Sequence, residues 1–341
     1  MRPMKLSKPV RIGVIGLGKI AIRSHLPGFA KAKGCRITAV YSSREEAAKK
    51  IALQYGIPSV YEDWRLLLES PDVDAVSVCT TNSTHAPITL QAFKGGKHVL
   101  VEKPMATSVE DARAMDRAAR RAKKVLMVHH NMHFDPAIRT AESLIRKNAI
   151  GEVFSFKCSM AHRGPQNWSP TSKWFFEKKQ AGGGVLMDLG PHMLESLCFL
   201  LGDAPSTMAA VLPSKPAGWF GDGEAHCSCL LKFKKGVIGT LTLSWADVTY
   251  QNRIYFYGSR GTLHVNLAKG DPITLQYRDK DEKIYPALLK SAFKPSLYQH
   301  FVDCIREGRE PWVGGREGVK NVELIQAGYR SAREHRVIKV G

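Results

Sequence analysis

Apolar residues in the first third of the chain gather in short runs, each followed by a segment of helical length. VRIGVIG (10–16), RITAVYS (36–42), DAVSVCT (74–80), KHVLVEK (97–103) and KVLMVHH (124–130) read as buried strands, and SREEAAKKIALQYG (43–56) carries apolar residues at helical spacing. Strand–helix alternation of this kind predicts an α/β domain with a parallel, doubly wound sheet. After about His130 the rhythm changes. DPAIRTAESLIRKN (135–148) predicts one helix and VFSFKCSMAHR (153–163) a strand. From about Ser206 to Tyr277 most runs are strand-like, turning at KKG (234–236), GSRG (258–261) and AKGD (268–271). Strands without intervening helices predict an α+β domain with a large, mostly antiparallel open sheet. SLYQHFVDCIREG (296–308) and GVKNVELIQAGYRSAREH (318–335) close the chain as helices. The expected division is 1–128 and 129–341.

At 341 residues the chain exceeds one small core, in keeping with two domains. A net charge of +19 suits anionic ligands or nucleic acid. Part of the excess is local: residues 1–60 hold twelve Lys/Arg against two Glu, and RAARRAKK (117–124) reads as the solvated face of a helix. With no nucleic-acid-binding signature beside the charge, no nucleic-acid partner is expected. No run approaches the ~18 apolar residues of a membrane span. The opening MRPMKLSKPVRIGVIGLG lacks a cleavage pattern and reads as mature protein, so no membrane association is expected. Seven cysteines scattered from Cys35 to Cys304 form no disulfide framework, which points to a reducing cytoplasm. Cys227 and Cys229 share a strand face and read as packing, since no second pair stands at zinc spacing.

GLGKIA (16–21) is G-x-G-x-x-A, and here it follows a predicted strand and opens a helix, the context a dinucleotide requires. Gly16 permits the tight turn, Gly18 lets the backbone approach a pyrophosphate, and Ala21 keeps helix and strand close. The end of the second strand reads Tyr41-Ser42-Ser43-Arg44, with no acid before Glu45. An NAD site usually places Asp or Glu there, whereas serine hydroxyls and a guanidinium match a 2′-phosphate. NADP is therefore favoured over NAD. The competing reading is that Arg44 only begins a solvated helix.

HVLVEKPMA (98–106) sets a charged pair and a proline at the tip of a core strand. With VEKP, the glycine fingerprint, TTNSTHAP (80–87) and GGGVLMDLGPH (182–192), the chain resembles the glucose–fructose oxidoreductase/inositol dehydrogenase family (Gfo/Idh/MocA) over essentially its whole length. The resemblance implies a Rossmann domain, a second domain that builds oligomers (dimer or tetramer), and hydride exchange between a nicotinamide nucleotide and a sugar, cyclitol or related hydroxy compound. It also places Lys103 beside the nicotinamide. The chain departs from the family pattern at Thr81, where proline is usual, at His129, where glycine is common, and at His133, where arginine is common near the substrate.

The chemistry needs particular groups. Substrates of parallel sheets bind at the carboxyl ends of the strands. Lys103 lies there, where its ammonium can stabilise negative charge developing on the reacting oxygen. Taking hydride from an alcohol carbon also requires taking the hydroxyl proton, and His192 is the natural base. Asp188 lies four residues earlier and tunes Lys103 and His192, with a kink expected at Gly190-Pro191. Lys103, Asp188 and His192 are the expected catalytic residues. Gly16, Gly18, Lys19, Ile20, Ser42, Ser43, Arg44, Thr80, Asn82, His85, Glu102 and Lys103 are the expected cofactor contacts. His133, Arg163 and Trp174, with Trp168 nearby, are candidates for substrate. No metal is expected on His129, His130 and His133, because strand neighbours face opposite sides. The rival from another class is a regulatory protein that senses nucleotide or sugar without turnover.

Overall fold

Val10–Ile15 (β1) is buried at all but one position, because a strand covered on both faces has no polar side to show. The computed structural model to which it belongs describes residues 8–213, 219, 221–268, 271–279, 283–285 and 296–341, with the Trp168 side chain and part of the AKGD turn outside that set. A π-helical turn at Ala21–His25 leads into α1 (Leu26–Lys31), followed by β2 (Cys35–Tyr41) and α2 (Glu45–Tyr55). Then come β3 (Ser59–Tyr61), α3 (Trp64–Glu69), β4 (Ala75–Val78), α4 (Asn82–Lys94), β5 (His98–Val101), α5 (Val109–Ala122) and β6 (Leu126–Val128). The six strands are parallel in the order β3-β2-β1-β4-β5-β6. The order reverses beside β1, so the ends of β1 and β4 open the crevice in which doubly wound sheets bind nucleotides. Val99, Leu100 and Val101 are fully buried, each worth ~1.5–3 kcal/mol, which fixes the strand tip carrying Glu102 and Lys103. β3 escapes the sequence pattern because its three residues are only half-buried.

The second unit contains α6 (Pro136–Arg146), β7 (Val153–Ala161), and the single turns α7 (Pro165–Trp168) and α8 (Lys178–Ala181). Next are α9 (Val185–Asp188), α10 (Gly190–Leu201), β8 (Pro205–Val211), β9 (His226–Phe233), β10 (Ile238–Ser244), β11 (Gln251–Gly258), β12 (Gly261–Asn266), β13 (Ile273–Tyr277) and β14 (Lys283–Ile284). With β15 (Ile338–Lys339), the described strands form one sheet in the order β14-β13-β12-β11-β7-β10-β9-β8-β15. Only the β7–β10 pair is parallel. Alternation along β9 turns Cys227 and Cys229 into the core and leaves Leu230 exposed on the other face.

Two helices end the chain, α11 (Leu297–Glu307) and α12 (Gly315–Glu334). The units are Met1–His129 with Lys294–Lys320, and His130–Phe293 with Asn321–Gly341. A single cut near residue 128 therefore misses the return of α11 to the first unit. Gly28 permits that return, since a Cβ there would lie 2.1 Å from the Tyr298 ring. Phe29 then meets Tyr298 and Phe301 at ring distances of 5.0 and 6.2 Å. Among the described residues no single helix is long and apolar enough to cross a membrane.

Candidate active site

Gly16 has φ +91°, and a Cβ would stand 2.8 Å from the Cys79 carbonyl oxygen and 2.9 Å from Thr80 Cγ2. Only glycine lets the ends of β1 and β4 come this close. A Cβ on Gly18 would meet nothing within 4 Å, so its backbone is open to an approaching phosphate. Lys19 and Ile20 follow directly as the chain enters its helix. Ser42 is buried and its Oγ accepts from the Arg44 amide at 3.3 Å, while Ser43 and Arg44 are exposed. Arg44 Nη2 donates to the Leu17 carbonyl at 3.4 Å, which sets the guanidinium beside the glycine turn.

Thr80 and Asn82 stand where β4 gives way to α4, and the Thr84 hydroxyl donates to Thr80 Oγ1 at 2.7 Å. His85 is fully buried, with Nδ1 2.9 Å from the Pro104 carbonyl oxygen and Nε2 3.2 Å from that of Thr80. Burial lowers its pKa, which favours the neutral ring. His85 thereby ties α4 to the turn after Lys103.

Glu102 is buried with its charge answered on both oxygens. Oε1 lies 2.8 Å from His25 Nε2 and 3.0 Å from His129 Nδ1, and Oε2 accepts from the Lys103 amide at 3.1 Å. His25 Nδ1 is 2.7 Å from Ser77 Oγ, and His129 Nε2 is 2.8 Å from the Tyr298 hydroxyl. The ligand atoms of His25, Glu102 and His129 lie within 4.8 Å of one another, a donor set that suits a transition metal. The nitrogens nevertheless sit at hydrogen-bond distance from Oε1, closer than the ~3.4 Å that separates tetrahedral ligands held ~2.1 Å from a metal. The geometry is that of an ion-pair network.

Burial opposes the charge on Glu102, but His129, His25 and Lys103 outweigh it and hold the carboxyl well below its ordinary range. Burial likewise opposes the His25 imidazolium, and Cys79 and Glu102 overcome it, raising the pKa from 6.5 to about 10. A raised histidine stabilises the fold fully below pH 6.5 and ceases to as pH approaches about 10; a depressed carboxylate contributes above 4.5 and less on acidification. The urea midpoint is therefore expected to fall between pH 6.5 and about 10, and to fall less in Glu102→Gln. Equal slopes in the two proteins would remove this linkage.

In the second unit, Asp188 ends α9 and His192 lies in the first turn of α10, with the helical segments Lys178–Asp188 and Gly190–Leu201 bent by 41° at the expected break. Asp188 Oδ2 accepts from Trp245 Nε1 at 3.1 Å, and Asn321 Nδ2 donates to the Pro191 carbonyl at 3.0 Å. The start of α9 is held by Glu224. Its Oε1 accepts from the Leu186 amide (2.9 Å) and the Tyr329 hydroxyl (2.8 Å), and its Oε2 from the Gly184 amide (3.1 Å). His133 Nδ1 lies 2.7 Å from Glu195 Oε1 and its ring 3.9 Å from that of Phe199. Arg163 is exposed and donates to the Val248 carbonyl at 2.8 Å. Trp174 stacks on Phe175 at 3.9 Å. Lys103 thus belongs to the first unit, and Asp188, His192 and the substrate candidates to the second.

Sequence reasoning missed His25, Tyr298, Glu224 and Tyr329. His25 had a signal, because it stands on the apolar stripe of Ala21, Leu26 and Phe29, where a histidine is out of place. The others lie too far along the chain from their partners for any spacing to announce them.

The reversed strand order and the glycine turn define an α/β protein of the nucleotide-binding type. The family description "Oxidoreductase family, NAD-binding Rossmann fold" matches residues 10–130, and "GFO/IDH/MocA C-terminal domain" matches 138–264. The chain belongs to the GFO/IDH/MocA family and is an oxidoreductase. It is 34% identical over 312 residues to 1,5-anhydro-D-fructose reductase of Ensifer adhaerens, covering 91% of this chain and 92% of the reductase. With D-apiose dehydrogenase of Paraburkholderia graminis it shares 28% over 347 residues, covering 96% and 88%. The crystal structure of aldose-aldose oxidoreductase from Caulobacter crescentus, complexed with glycerol, superimposes with a TM-score of 0.87 at 31% identity, covering 98% and 100%.

Proposed function

We propose that the chain exchanges hydride between a nicotinamide nucleotide, NADP in preference to NAD, and a hydroxyl or carbonyl carbon of a sugar, cyclitol or nucleotide sugar. The observation that carries this reading is Lys103 at the carboxyl end of β5, its amide fixed on Glu102, in a chain whose relatives are named for sugar oxidation and reduction. The open backbone at Gly18 and the tight turn at Gly16 fit the pyrophosphate, and Ser42, Ser43 and Arg44 fit a 2′-phosphate. When bound, the nicotinamide accepts or gives the hydride. Lys103 holds the reacting oxygen and stabilises its developing charge. His192 takes the hydroxyl proton in oxidation and returns it in reduction. Asp188, held by Trp245, orients the substrate. His133, Arg163 and Trp174 remain the candidates for reading the substrate, and Leu230 and Ile238, exposed on the open sheet, support assembly into a homo-oligomer.

Arg44→Ala tests the cofactor. Loss of a hydrogen bond to a charged group costs about 1.5–3 kcal/mol, so NADPH affinity is expected to drop by that amount while NADH changes little. Titration of dihydronicotinamide fluorescence measures both, and equal losses would mean that Arg44 does not read the phosphate.

A further inference from the structure

Asp188 is the last residue of a single helical turn, Val185–Asp188, which is too short to be stable by itself. Glu224 holds it. The Glu224 carbonyl accepts from the Val185 amide at 2.8 Å, and its carboxylate accepts from the amides on either side, Gly184 at 3.1 Å and Leu186 at 2.9 Å. One residue thus meets three successive backbone donors that the turn itself cannot satisfy. The Tyr329 hydroxyl completes the cap, donating to Glu224 Oε1 at 2.8 Å and accepting from the Gly184 amide at 3.2 Å. The Asp188 amide donates back to the Gly184 carbonyl at 3.1 Å, which links the capped end of the turn to the end that carries the carboxylate.

That far end is tied to the same segment. Trp245 is fully buried, its Nε1 donates to Asp188 Oδ2, and its amide donates at 2.8 Å to the carbonyl of Ala225, the residue after Glu224. Phe176 and Trp219 pack against its ring, with centroids at 6.1 and 6.0 Å. A closed circuit therefore runs from Glu224 through Gly184 and Asp188 to Trp245, and back through Ala225. All of its members lie in the second unit.

We propose that Glu224 is a positioning residue for Asp188: by capping the turn within this circuit it sets where the Asp188 carboxylate stands, and through that the rate of hydride transfer. The proposal rests on the oxidoreductase reading only for what Asp188 does.

Glu224→Gln in the full-length protein tests it. Glutamine keeps the size, but it offers one acceptor oxygen where the cap uses two, and its amide nitrogen would set hydrogens against a backbone N–H. Turnover is expected to fall by ~10–100-fold, the scale of a misplacement of about 1 Å. NADPH affinity is expected to stay within about two-fold, a shift below the cost of one hydrogen bond to a charged group. The decisive comparison is an Asp188→Asn background. There Glu224→Gln is expected to change the rate by less than about two-fold, because its effect runs through Asp188, while it lowers the urea midpoint as much as it does in the parent. Parental turnover in the folded single variant, or the same rate loss in both backgrounds, overturns the proposal. A second measurement needs no substrate. The Trp245 indole N–H resonance, identified by its loss in Trp245→Phe, is expected to move upfield in Glu224→Gln as its bond to Asp188 weakens, and an unmoved signal also overturns the proposal. If Glu224→Gln does not fold, Tyr329→Phe carries both measurements. It removes one arm of the cap, and a loss of roughly 2–10-fold is expected, the scale of a single hydrogen bond; a parental rate with an unmoved indole signal overturns it. A moved indole signal in a protein that turns over no sugar supports the positioning of Asp188 and removes the oxidoreductase reading instead, so the two failures are distinguishable.

Discussion

Lys103→Met and His192→Asn are each expected to lower hydride transfer by ~10²–10⁴, the scale on which a positioned acid–base group contributes. Methionine keeps much of the lysine's length and deletes the cation; asparagine keeps hydrogen bonding and deletes the imidazole. Neither change touches Gly16 or Gly18, so nucleotide affinity stays within about three-fold, below the cost of one hydrogen bond to a charged group. Because the two side chains are assigned to one hydroxyl, the double variant loses less than the product of the single losses. Single-turnover absorbance of the dihydronicotinamide, with a sugar or cyclitol that the parent converts, measures all three. Near-parental rates in both single variants would place the chemistry elsewhere.

Gly184→Ala is expected to unfold at markedly lower denaturant than the parent. A Cβ there would stand 2.1 Å from the Glu224 carbonyl oxygen and 2.4 Å from its nitrogen, both backbone atoms that cannot swing away. The amide of Val185 donates to that same carbonyl at 2.8 Å, and the Gly184 amide to the Glu224 carboxylate, so separating the two segments breaks both. Overpacking of this kind costs 1–3 kcal/mol where neighbours can yield, and here we expect ~3 kcal/mol or more. Gly183→Ala is the comparison, because its Cβ would meet the Tyr329 hydroxyl, the far end of a side chain. It is expected to cost less. Urea melts of the two variants decide it, and equal costs would mean that the Glu224 backbone gives way as readily as the Tyr329 ring.

Strands covered on both faces announce themselves as apolar runs, which is why β1, β2, β4, β5 and β6 were legible in the sequence and the half-buried β3 was not. The break between Asp188 and His192 was legible for a local reason, since proline is tolerated only in the first turn of a helix, and Gly190-Pro191 opens α10. What α11 packs against was not. An apolar stripe on a helix says that something covers it, without saying which domain does. The same limit hid the pairing of Glu224 with Tyr329, 105 residues apart, and of His129 with Tyr298, 169 apart. Glu102 was legible as a charged residue that needs an answer. Half of that answer, His25, lay on a helix stripe that otherwise reads as core.

The return of α11 to the first unit also sets a clock. During synthesis the segment through His129 is complete while Tyr298 is still 169 residues from being made. At the usual 5–20 residues per second that is an interval of roughly 8–35 s, in which Phe29 lacks Tyr298 and Phe301, and His129 lacks its hydroxyl partner. The nascent nucleotide-binding half waits on the ribosome with part of its apolar surface uncovered. An isolated fragment ending at His129 would inherit that uncovered surface permanently.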